Sequence, residues 1–363
     1  MHSPDESPRP NSTEDRKDAH LRICLEEAIA GLDVTTGFER VRFEHDALPE
    51  LALSEVDTSV ELFGKRLAAP LMIGAMTGGT ERAGRINRIL AEAAETCGIA
   101  MALGSQRKMI EQPAVRATFK VRDVAPNVLL MGNVGAVQLN YGVGLDQVRF
   151  LIEEVGADLF AFHLNPLQEA VQPEGDTDFR GLVGKLEALV PRLPVPVILK
   201  EVGAGFSKKT LRRVVSLPIA GIETAGVGGT SWSKIESFRT DSWVQQMTGR
   251  RLATWGVPTM QSLQAAVSIF HGTGKAIFCS GGIRTGLEVA KAVALGADLV
   301  CSALPFLKAA SEGGLEATIL TIRQMMAELR TVLFCTGSRT LAELRQAELV
   351  PVEDMGFRGT RET

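Results

Sequence analysis

The sequence lacks most features that would set it apart from an ordinary intracellular globular protein. Its five cysteines are scattered and form no CxxC pair, which argues against a disulfide framework or a thiolate metal site. No window approaches the roughly 18 apolar residues of a membrane span, and the polar, proline-rich residues 1–14 lack the apolar core of a signal peptide. The net charge of −4 indicates neither nucleic acid nor an acidic membrane as a partner. We therefore predict a cytoplasmic protein with reduced thiols and a disordered tail over residues 1–14.

What is present suits a large folded unit. The chain has 363 residues, 45% of them hydrophobic and 23% charged, which allows a substantial core beneath a solvated surface. This length fits two ordinary domains or one large α/β barrel with extensions. Because the net charge is slightly negative, any anion must be bound by local basic groups.

From residue 70 onward one unit recurs: a short apolar run, a polar loop containing glycine, and an amphipathic helix. Eight strands, each followed by a helical stretch, are the count for a (β/α)8 TIM barrel, and a doubly wound sheet is the alternative. The predicted strands are Pro70–Gly74, Ile99–Leu103, Asn127–Met131, Asp158–Phe162, Pro196–Lys200, Ile219–Glu223, Lys275–Cys279 and Asp298–Cys301. The helices predicted between them include Arg82–Cys97, Asp146–Val155, Phe179–Val190 and Gly286–Leu295.

The barrel is predicted over residues 70–310, with an extension on each side. Residues 15–69 would form an N-terminal helix from Asp15 to Ala30 and then an irregular cover. Residues 311–363 would form a helical C-terminal extension. Within it, Thr340 and Glu343 have the spacing of a capping box, which predicts a last short helix.

One interval breaks the repeat. The segment between Glu223 and Lys275 is about twice as long as the other intervals and holds Trp232, Trp243 and Trp255. Its aromatic content predicts an ordered segment. A lid over the site and a packing or subunit-contact insertion remain equally open.

Polar side chains follow the predicted strands. The segment HLNPLQE, residues 163–169, places His163, Asn165, Gln168 and Glu169 directly after a buried strand. Because the carboxyl ends of barrel strands converge on one site, these groups should meet the other strand ends there. Those ends read Ala75-Met76-Thr77-Gly78-Gly79, Ser105-Gln106-Arg107, Asn133, Lys200-Glu201, Gly228-Gly229-Thr230, Gly281-Gly282-Ile283-Arg284 and Ala303. The set suits a phosphorylated ligand with a flat polar ring better than a metal caged by protein ligands.

Two strand ends carry distinct signals. Residues 280–286, SGGIRTG, combine free backbone N–H groups, Arg284 and a following helix N-terminus, which indicates a phosphate site; a plain turn is the alternative. Lys200 ends an apolar strand and should point into the barrel mouth, where a buried lysine needs a functional role or a structural ion pair. Glu201 should alternate outward and solvate the rim.

A basic group precedes the barrel. Arg16 and His20 are four residues apart and share a face of the predicted N-terminal helix, with Lys17 beside them. From the residues alone, a solvated charged face is the favoured interpretation.

Six segments occur in the order seen in the type 2, FMN-dependent isopentenyl-diphosphate isomerases, and the chain resembles that family from Arg16 to residue 344. They are RKDAHL at 16–21, AMTGG at 75–79, SQR at 105–107, HLNPLQE at 163–169, KEVGAGFS at 200–207 and SGGIRTG at 280–286. HLNPLQE and RKDxH are specific to this family, whereas GGIR and KEVG are shared with other flavin barrels.

The resemblance implies a set of ligands and contacts. FMN would contact Ala75, Met76, Thr77, Ser105, Asn133, Lys200, Thr230, Gly281, Gly282, Arg284, Ala303 and Leu304. The diphosphate substrate would meet Arg16, Lys17, His20, Arg107, His163, Asn165 and Gln168, and Glu169 would hold Mg²⁺. Leu304 stands where the family often has glycine and should shift the phosphate loop slightly.

The implied reaction is a 1,3-proton shift between isopentenyl and dimethylallyl diphosphate. Reduced FMN would act as acid, base and stabiliser of the positive charge, with Lys200 supporting the reduced anion and Gln168 relaying the second proton. No pair of carboxylates stands out for this work. NADPH as reductant and a homo-oligomer, tetramer or octamer, are implied by resemblance.

Two other functions compete. An FMN-dependent hydroxy-acid oxidase or dehydrogenase on the same barrel needs a histidine base at the end of strand seven, where this chain has Ser280-Gly281-Gly282. His271 precedes that strand and should lie on the surface at the opposite end. A non-catalytic flavin- or phosphate-binding protein would not need His163, Gln168 and Glu169 together at one strand end.

Overall fold

The computed structural model describes residues 13–31 and 34–352, without the side chains of residues 13–16. The strands are β1 (Val41–Phe43), β2 (Val60–Leu62), β3 (Lys65–Leu67), β4 (Leu71–Ile73), β5 (Ala100–Ala102), β6 (Leu130–Gly135), β7 (Leu159–Leu164), β8 (Val197–Glu201), β9 (Gly221–Glu223), β10 (Ala276–Ser280), β11 (Leu299–Ser302) and β12 (Leu349–Pro351). The helices are α1 (Thr13–Glu26), α2 (Glu81–Cys97), α3 (Arg107–Glu111), α4 (Leu145–Val155), α5 (Pro166–Val171), α6 (Leu182–Leu189), α7 (Lys208–Val214), α8 (Trp232–Ser237), α9 (Trp243–Arg251), α10 (Thr259–Phe270), α11 (Gly286–Ala294), α12 (Leu304–Cys335) and α13 (Leu341–Leu344).

Strands β4 to β11 are parallel and close into a barrel, which confirms the predicted (β/α)8 fold. Each predicted strand is present, but the third was placed too early, at Asn127–Met131. It begins at Leu130 because the Glu95 carboxylate accepts the backbone N–H groups of Asn127 and Val128 at 2.9 and 2.8 Å. Those two N–H groups are therefore not available to the barrel sheet.

The barrel interior is apolar up to its carboxyl end. Below that end, inward side chains pack into one buried cluster that includes Met72, Ala161, Ile198, Phe278 and Leu299. The hairpin of β2 and β3 covers the amino end, where Phe63 meets Phe278 edge to face with ring centroids 6.3 Å apart. This packing leaves the carboxyl end as the place where polar groups can gather inside the barrel.

A charged cluster ties the strands together at the amino end. One carboxylate oxygen of Asp158 accepts Lys65 Nζ at 2.9 Å, Arg122 Nη2 at 2.6 Å and the Leu130 N–H at 2.9 Å. Burial opposes ionisation of Asp158, but these donors outweigh it and lower its pKa. The cluster joins the β2–β3 hairpin to strands β6 and β7.

The N-terminal helix lies across the carboxyl end of the barrel. The prediction that it runs to Ala30 is wrong: α1 ends at Glu26, because the chain then pairs with the long insertion. Ala30 forms a β-bridge with Thr230, and the Ser231 N–H donates to the Ile29 carbonyl at 3.0 Å. Asp18 accepts a hydrogen bond from the Thr80 hydroxyl at 2.8 Å, which fixes α1 to the start of α2.

The predicted extensions are partly described. Residues 1–12 and 353–363 lie outside the described part, and Thr13 and Glu14 of the predicted tail belong to α1. The C-terminal helix α12 begins at Leu304, directly after β11 and within the predicted barrel range, and is kinked at Gly314, whose φ is 67°. Thr340 caps α13 by accepting the Glu343 N–H at 3.2 Å, as the capping box predicts. The domain boundaries themselves stay predictions.

Two further sequence predictions concern the described residues. All five cysteines are unpaired and four are buried, which confirms the expected free thiols. Within residues 13–31 and 34–352, none of the helices is long and apolar enough to cross a membrane.

Candidate active site

Two adjoining cavities open at the carboxyl end of the barrel. The glycine cavity, of about 980 Å³, is lined by Gly74, Gly203, Gly226, Gly229, Gly281 and Gly282. The amide cavity, of about 860 Å³, is lined by Asn133, Gln138, Asn165, Gln168 and Gln172. Their shared wall is formed by Lys17, His20, Ala75, Met76, Lys200, Val202 and Trp232.

The glycine cavity holds most residues predicted to bind a cofactor. They are Ala75, Met76, Thr77, Lys200, Thr230, Gly281, Gly282, Arg284, Ala303 and Leu304. Gly281 and Gly282 have φ of 108° and 75°, and a Cβ on either would lie within 2.4 Å of the carbonyl oxygen of Gly226 or Gly228. Only glycine fits these positions, and the bare backbone there leads into the first turn of α11, as an anion cradle requires.

The amide cavity holds the described residues predicted to meet the substrate. They are Lys17, His20, Arg107, His163, Asn165 and Gln168, together with the predicted metal ligand Glu169. Ser105 and Asn133, which were predicted to contact the cofactor, line this cavity instead of the glycine cavity. The Arg16 side chain lies outside the described residues.

His163 is held as a neutral imidazole. Its Nδ1 lies 2.9 Å from Asn133 Oδ1, while Asn133 Nδ2 donates to the Leu103 carbonyl, so His163 Nδ1 carries the proton. Burial and the positive charges of Lys200 and Lys17 lower the pKa of His163 to about 3. A bound anion would reverse the effect of those charges and favour protonation of Nε2.

Lys200 lines both cavities from the end of β8. Its ammonium donates to the Glu201 carbonyl at 2.7 Å and lies 3.7 Å from Glu223 Oε1 on the neighbouring strand β9. Both features that the sequence suggested for Lys200 are therefore present: it lies in the barrel mouth, and it has an ionic partner.

The prediction that Glu201 solvates the rim is wrong. Its side chain does point out of the barrel, but the β8–α7 loop covers it and leaves it 5% exposed. Its Oε2 accepts the backbone N–H groups of Val202, Gly203, Ala204 and Gly205 at 2.6, 2.6, 2.6 and 3.1 Å. Glu201 thus shapes the loop that follows Lys200.

Sequence reasoning missed Glu236, a buried carboxylate on α8. Its Oε1 accepts hydrogen bonds from Gln168 Nε2 at 2.9 Å and His20 Nε2 at 3.0 Å, and its Oε2 pairs with Arg239. Burial opposes ionisation, but the contacts with His20, Arg239 and Gln168 prevail and lower the pKa of Glu236 to about 2. Burial lowers the pKa of His20, so a neutral His20 donates to an ionised Glu236.

The long insertion therefore contributes to the site. Trp232 of α8 lines both cavities, and its ring packs edge to face on His20 with centroids 5.1 Å apart. Glu236 of α8 lies behind the cavity wall and bonds His20 and Gln168, which line the amide cavity. Trp243 and Trp255 are 69% and 65% exposed. One part of the insertion covers the site, as a lid would, and another presents apolar surface.

Glu169 and Arg107 belong to a shared polar network. Glu169 accepts Asn165 Nδ2 at 2.7 Å and the Asp176 N–H at 2.7 Å. Arg107 pairs with Glu111 and Asp176, each at 2.6 Å. Among the described residues no group of three histidine, cysteine, aspartate or glutamate side chains could hold a metal. A metal at Glu169 would therefore need ligands from a substrate or water.

Three buried side-chain oxygens of the described residues have no hydrogen-bond partner. They are Thr77 Oγ1 and Glu223 Oε2, whose residues line the glycine cavity, and Asn165 Oδ1, whose residue lines the amide cavity. Buried polar atoms in native proteins are normally satisfied. Their position at these cavities fits ligands that supply the missing hydrogen-bond donors or a cation.

Comparison with known proteins identifies close relatives. The model of a family described as FMN-dependent dehydrogenase matches residues 21–121 and 170–351. Isopentenyl-diphosphate delta-isomerase of Synechococcus sp. is 48% identical over 336 residues, covering 93% of this chain and 96% of the relative. The enzyme of the same name from Pyrococcus furiosus is 42% identical over 349 residues, covering 94% and 87%.

Solved structures share the fold at lower identity. A mandelate oxidase with 3,3-difluoro-2-hydroxy-3-phenylpropionic acid superposes with a TM-score of 0.63 at 21% identity, covering 93% of this chain and 98% of that one. A mandelate oxidase variant with (S)-mandelic acid gives a TM-score of 0.64 at 20% identity, covering 93% and 97%. At this identity the similarity shows a common barrel architecture.

Proposed function

The chain belongs to the isopentenyl-diphosphate delta-isomerases, within the FMN-dependent dehydrogenase family, and we propose that it interconverts isopentenyl and dimethylallyl diphosphate in isoprenoid biosynthesis. One observation carries this proposal beyond the family: Lys200 lines both cavities, so ligands in the two cavities would meet at its ammonium group. The activity requires a flavin on one side of Lys200 and an anionic alkene on the other.

The glycine cavity fits FMN. Its unpartnered oxygens suit a ligand rich in hydrogen-bond donors, and the left-handed Gly281 and Gly282 next to α11 suit a phosphate. Arg284 and the Ala303-Leu304 turn would complete the phosphate contacts, while Thr77 and Lys200 would hold the ring. Reduced FMN, when bound, supplies the acid–base chemistry and the negative charge that an allylic proton shift requires.

The amide cavity suits the diphosphate. Lys17 and Arg107 bring positive charge to its wall, and Arg16 is the nearest further cation along the chain. His163 is neutral in the free protein and would gain a proton at Nε2 as the anion arrives, because the anion offsets the charges of Lys17 and Lys200. The imidazolium would then donate to a diphosphate oxygen.

Gln168 is placed to handle a proton of the substrate carbon chain. Glu236 accepts one of its amide N–H groups at 2.9 Å, and Asn165 Nδ2 donates to its Oε1 at 3.2 Å. These two contacts fix the positions of the amide nitrogen and the amide oxygen of Gln168. Glu236 acts here as a positioning residue, with its own charge held by His20 and Arg239.

Glu169 would hold Mg²⁺ together with diphosphate oxygens and water. Both of its oxygens accept a hydrogen bond, from Asn165 and from the Asp176 N–H, and Asn165 Oδ1 beside it is unpartnered. Mg²⁺ usually keeps water and substrate phosphate oxygens among its ligands, so one carboxylate suffices. NADPH is proposed as the reductant on the strength of the family resemblance alone.

A cytoplasmic homo-oligomer, tetramer or octamer, completes the proposal. Trp243, Val244 and Trp255 are 69%, 65% and 65% exposed, which leaves large apolar side chains of the insertion for a subunit contact. Light scattering on the purified protein measures the assembly. A Trp243→Glu variant that stays monomeric would support this contact, and an unchanged mass would reject it.

Product analysis tests the activity. Isopentenyl diphosphate is incubated anaerobically with the protein, FMN, Mg²⁺ and NADPH, beside controls with oxidised FMN and without Mg²⁺. We expect dimethylallyl diphosphate only when the flavin is reduced, and a large loss of rate without Mg²⁺. Bound FMN without isomerisation would reject the proposal.

The family match also admits an FMN-dependent hydroxy-acid dehydrogenase, which the same preparation can test. The end of β10 carries Ser280, Gly281 and Gly282, and His271 is exposed after α10, so the histidine base expected for oxidation is not at that strand end. We expect no flavin bleaching by 2-hydroxy acids. Bleaching without isomerisation would favour the dehydrogenase.

A further inference from the structure

Glu223 is a buried ionisable group to which the proposed function gives no role. It lies at the end of β9, is 3% exposed, and faces the glycine cavity beside Lys200. Its Oε1 accepts the Ser280 hydroxyl at 2.8 Å and lies 3.7 Å from Lys200 Nζ. Its Oε2 is buried without a hydrogen-bond partner.

Two other buried carboxylates near the barrel mouth have hydrogen-bond partners within the protein. Oε2 of Glu201 accepts four backbone N–H groups, and both oxygens of Glu236 are engaged by neighbouring side chains. A carboxylate offers several acceptor sites and is costly to bury with one oxygen bare. The partner of Glu223 Oε2 is therefore expected from a ligand in the cavity.

The position of Glu223 indicates which ligand supplies the hydrogen-bond donor. It lines the glycine cavity but not the amide cavity, so it lies on the side of Lys200 away from His163 and the proposed diphosphate site. A carboxylate would repel a diphosphate, whereas FMN carries hydrogen-bond donors on its ring and on its sugar-alcohol chain. The donor is thus one of the cofactor's groups.

We propose that Glu223 is an FMN-binding residue whose Oε2 accepts a hydrogen bond from an N–H or O–H group of the cofactor. The proposal rests on the placement of FMN in the glycine cavity given above. Glu223 Oε1 also places negative charge beside the Lys200 ammonium. The same side chain therefore links cofactor binding to the lysine at the shared wall of the cavities.

Titration of the FMN-free protein with FMN, followed by flavin fluorescence, tests this assignment. Glu223→Met keeps the bulk and removes both acceptors, and we expect its FMN dissociation constant to rise at least tenfold. The matched control is Glu95→Gln, a carboxylate at the opposite end of the barrel, which should bind FMN as the unaltered protein does. Binding by Glu223→Met within twofold of the unaltered protein would overturn the proposal.

Glu223→Gln covers the case in which the methionine variant does not fold. An amide has one oxygen, which cannot occupy both oxygen positions of Glu223, the one that accepts the Ser280 hydroxyl and the one assigned to the cofactor donor, so we expect at least threefold weaker FMN binding. A folded Glu223→Gln protein, judged by its circular dichroism, that binds FMN unchanged would also overturn the assignment.

Lumiflavin, which has the ring but no sugar-alcohol chain, distinguishes the two donors. If Glu223→Met weakens lumiflavin binding as much as FMN binding, Glu223 meets a ring N–H. If lumiflavin binding is unaffected, Glu223 meets a hydroxyl of the chain. Failure of the unaltered protein to bind FMN would instead reject the proposed function, so the two failures are distinct.

Discussion

The polar and charged groups at the two ends of the barrel differ in whether the protein itself supplies their hydrogen-bond partners. At the amino end, Asp158 receives Lys65, Arg122 and a backbone N–H on one oxygen, and the β2–β3 hairpin closes the interior. At the carboxyl end, two cavities remain open, and three buried oxygens lack partners among the described residues. The amino end is satisfied by the protein alone.

The difference separates polar groups that stabilise the fold from polar groups that serve function, along the axis of the barrel. A polar group at the amino end should contribute to the free energy of unfolding and little to catalysis. A polar group at the carboxyl end should contribute to ligand binding and catalysis, at some cost in stability, because its partner is a ligand. Substitutions at the two ends test this contrast.

The largest effect is expected at Lys200. We predict that Lys200→Met lowers the rate of isomerisation about 1,000-fold, because the charge between the two cavities is lost. Anaerobic product assays measure this rate. The matched control is Lys291→Met: Lys291 is also buried, but donates to the Phe38 carbonyl away from the cavities. Equal losses of activity in both variants would show that the loss follows from removing any buried lysine and not from the place of Lys200 between the cavities.

Gln168 should give the next largest effect. Gln168→Ala is expected to lower kcat about 100-fold, as loss of a proton-transfer group does, with a small change in KM. Glu236→Gln should lower kcat less, because it disturbs the orientation of Gln168 and His20 but leaves the Gln168 amide in place. Gln147, which caps α4 on the surface, supplies a control as Gln147→Ala. A rise in KM at constant kcat would assign Gln168 to binding instead.

The sequence predicted the frame of this site better than its contacts. All eight barrel strands follow from short apolar runs between glycine-containing loops, and strand ends converge in any such barrel. Glu236 escaped prediction because it reaches Gln168 across 68 positions of the chain, from a helix inside an irregular insertion. No local pattern encodes such a contact.

Two further residues show where local reasoning stops. Glu201 alternates outward from β8 as predicted, but outward in a barrel means toward a covering loop, which binds the carboxylate with four N–H groups. Asn133 was predicted to contact the cofactor, which stays a prediction; what its own segment does not reveal is that its oxygen fixes the His163 tautomer. Both outcomes depend on how neighbouring loops fold back, which the residue's own segment does not specify.

At the amino end, Asp158→Ala should reduce stability without reducing activity. The substitution leaves Lys65, Arg122 and a backbone N–H without their common acceptor, so we expect a loss of about 3 kcal/mol in the free energy of unfolding. Urea denaturation measures it. Asp123→Ala removes only the exposed pair with Arg88 and should leave the urea midpoint unchanged. A loss of kcat in folded Asp158→Ala would contradict the contrast.

The last effect is on acid stability and concerns His163 at the carboxyl end. The pKa of His163 is 6.5 in a model compound and about 3 in the folded protein, so between these pH values the unfolded chain binds one more proton. Stability should therefore fall as the pH drops below about 6.5, by about 1.4 kcal/mol per pH unit for this group, and show no such penalty above it. His163→Gln should flatten that slope in melting curves between pH 4 and 6.5, while the exposed His271→Gln should not. Parallel curves for His163→Gln and the unaltered protein would show that His163 does not contribute to the loss of stability in acid.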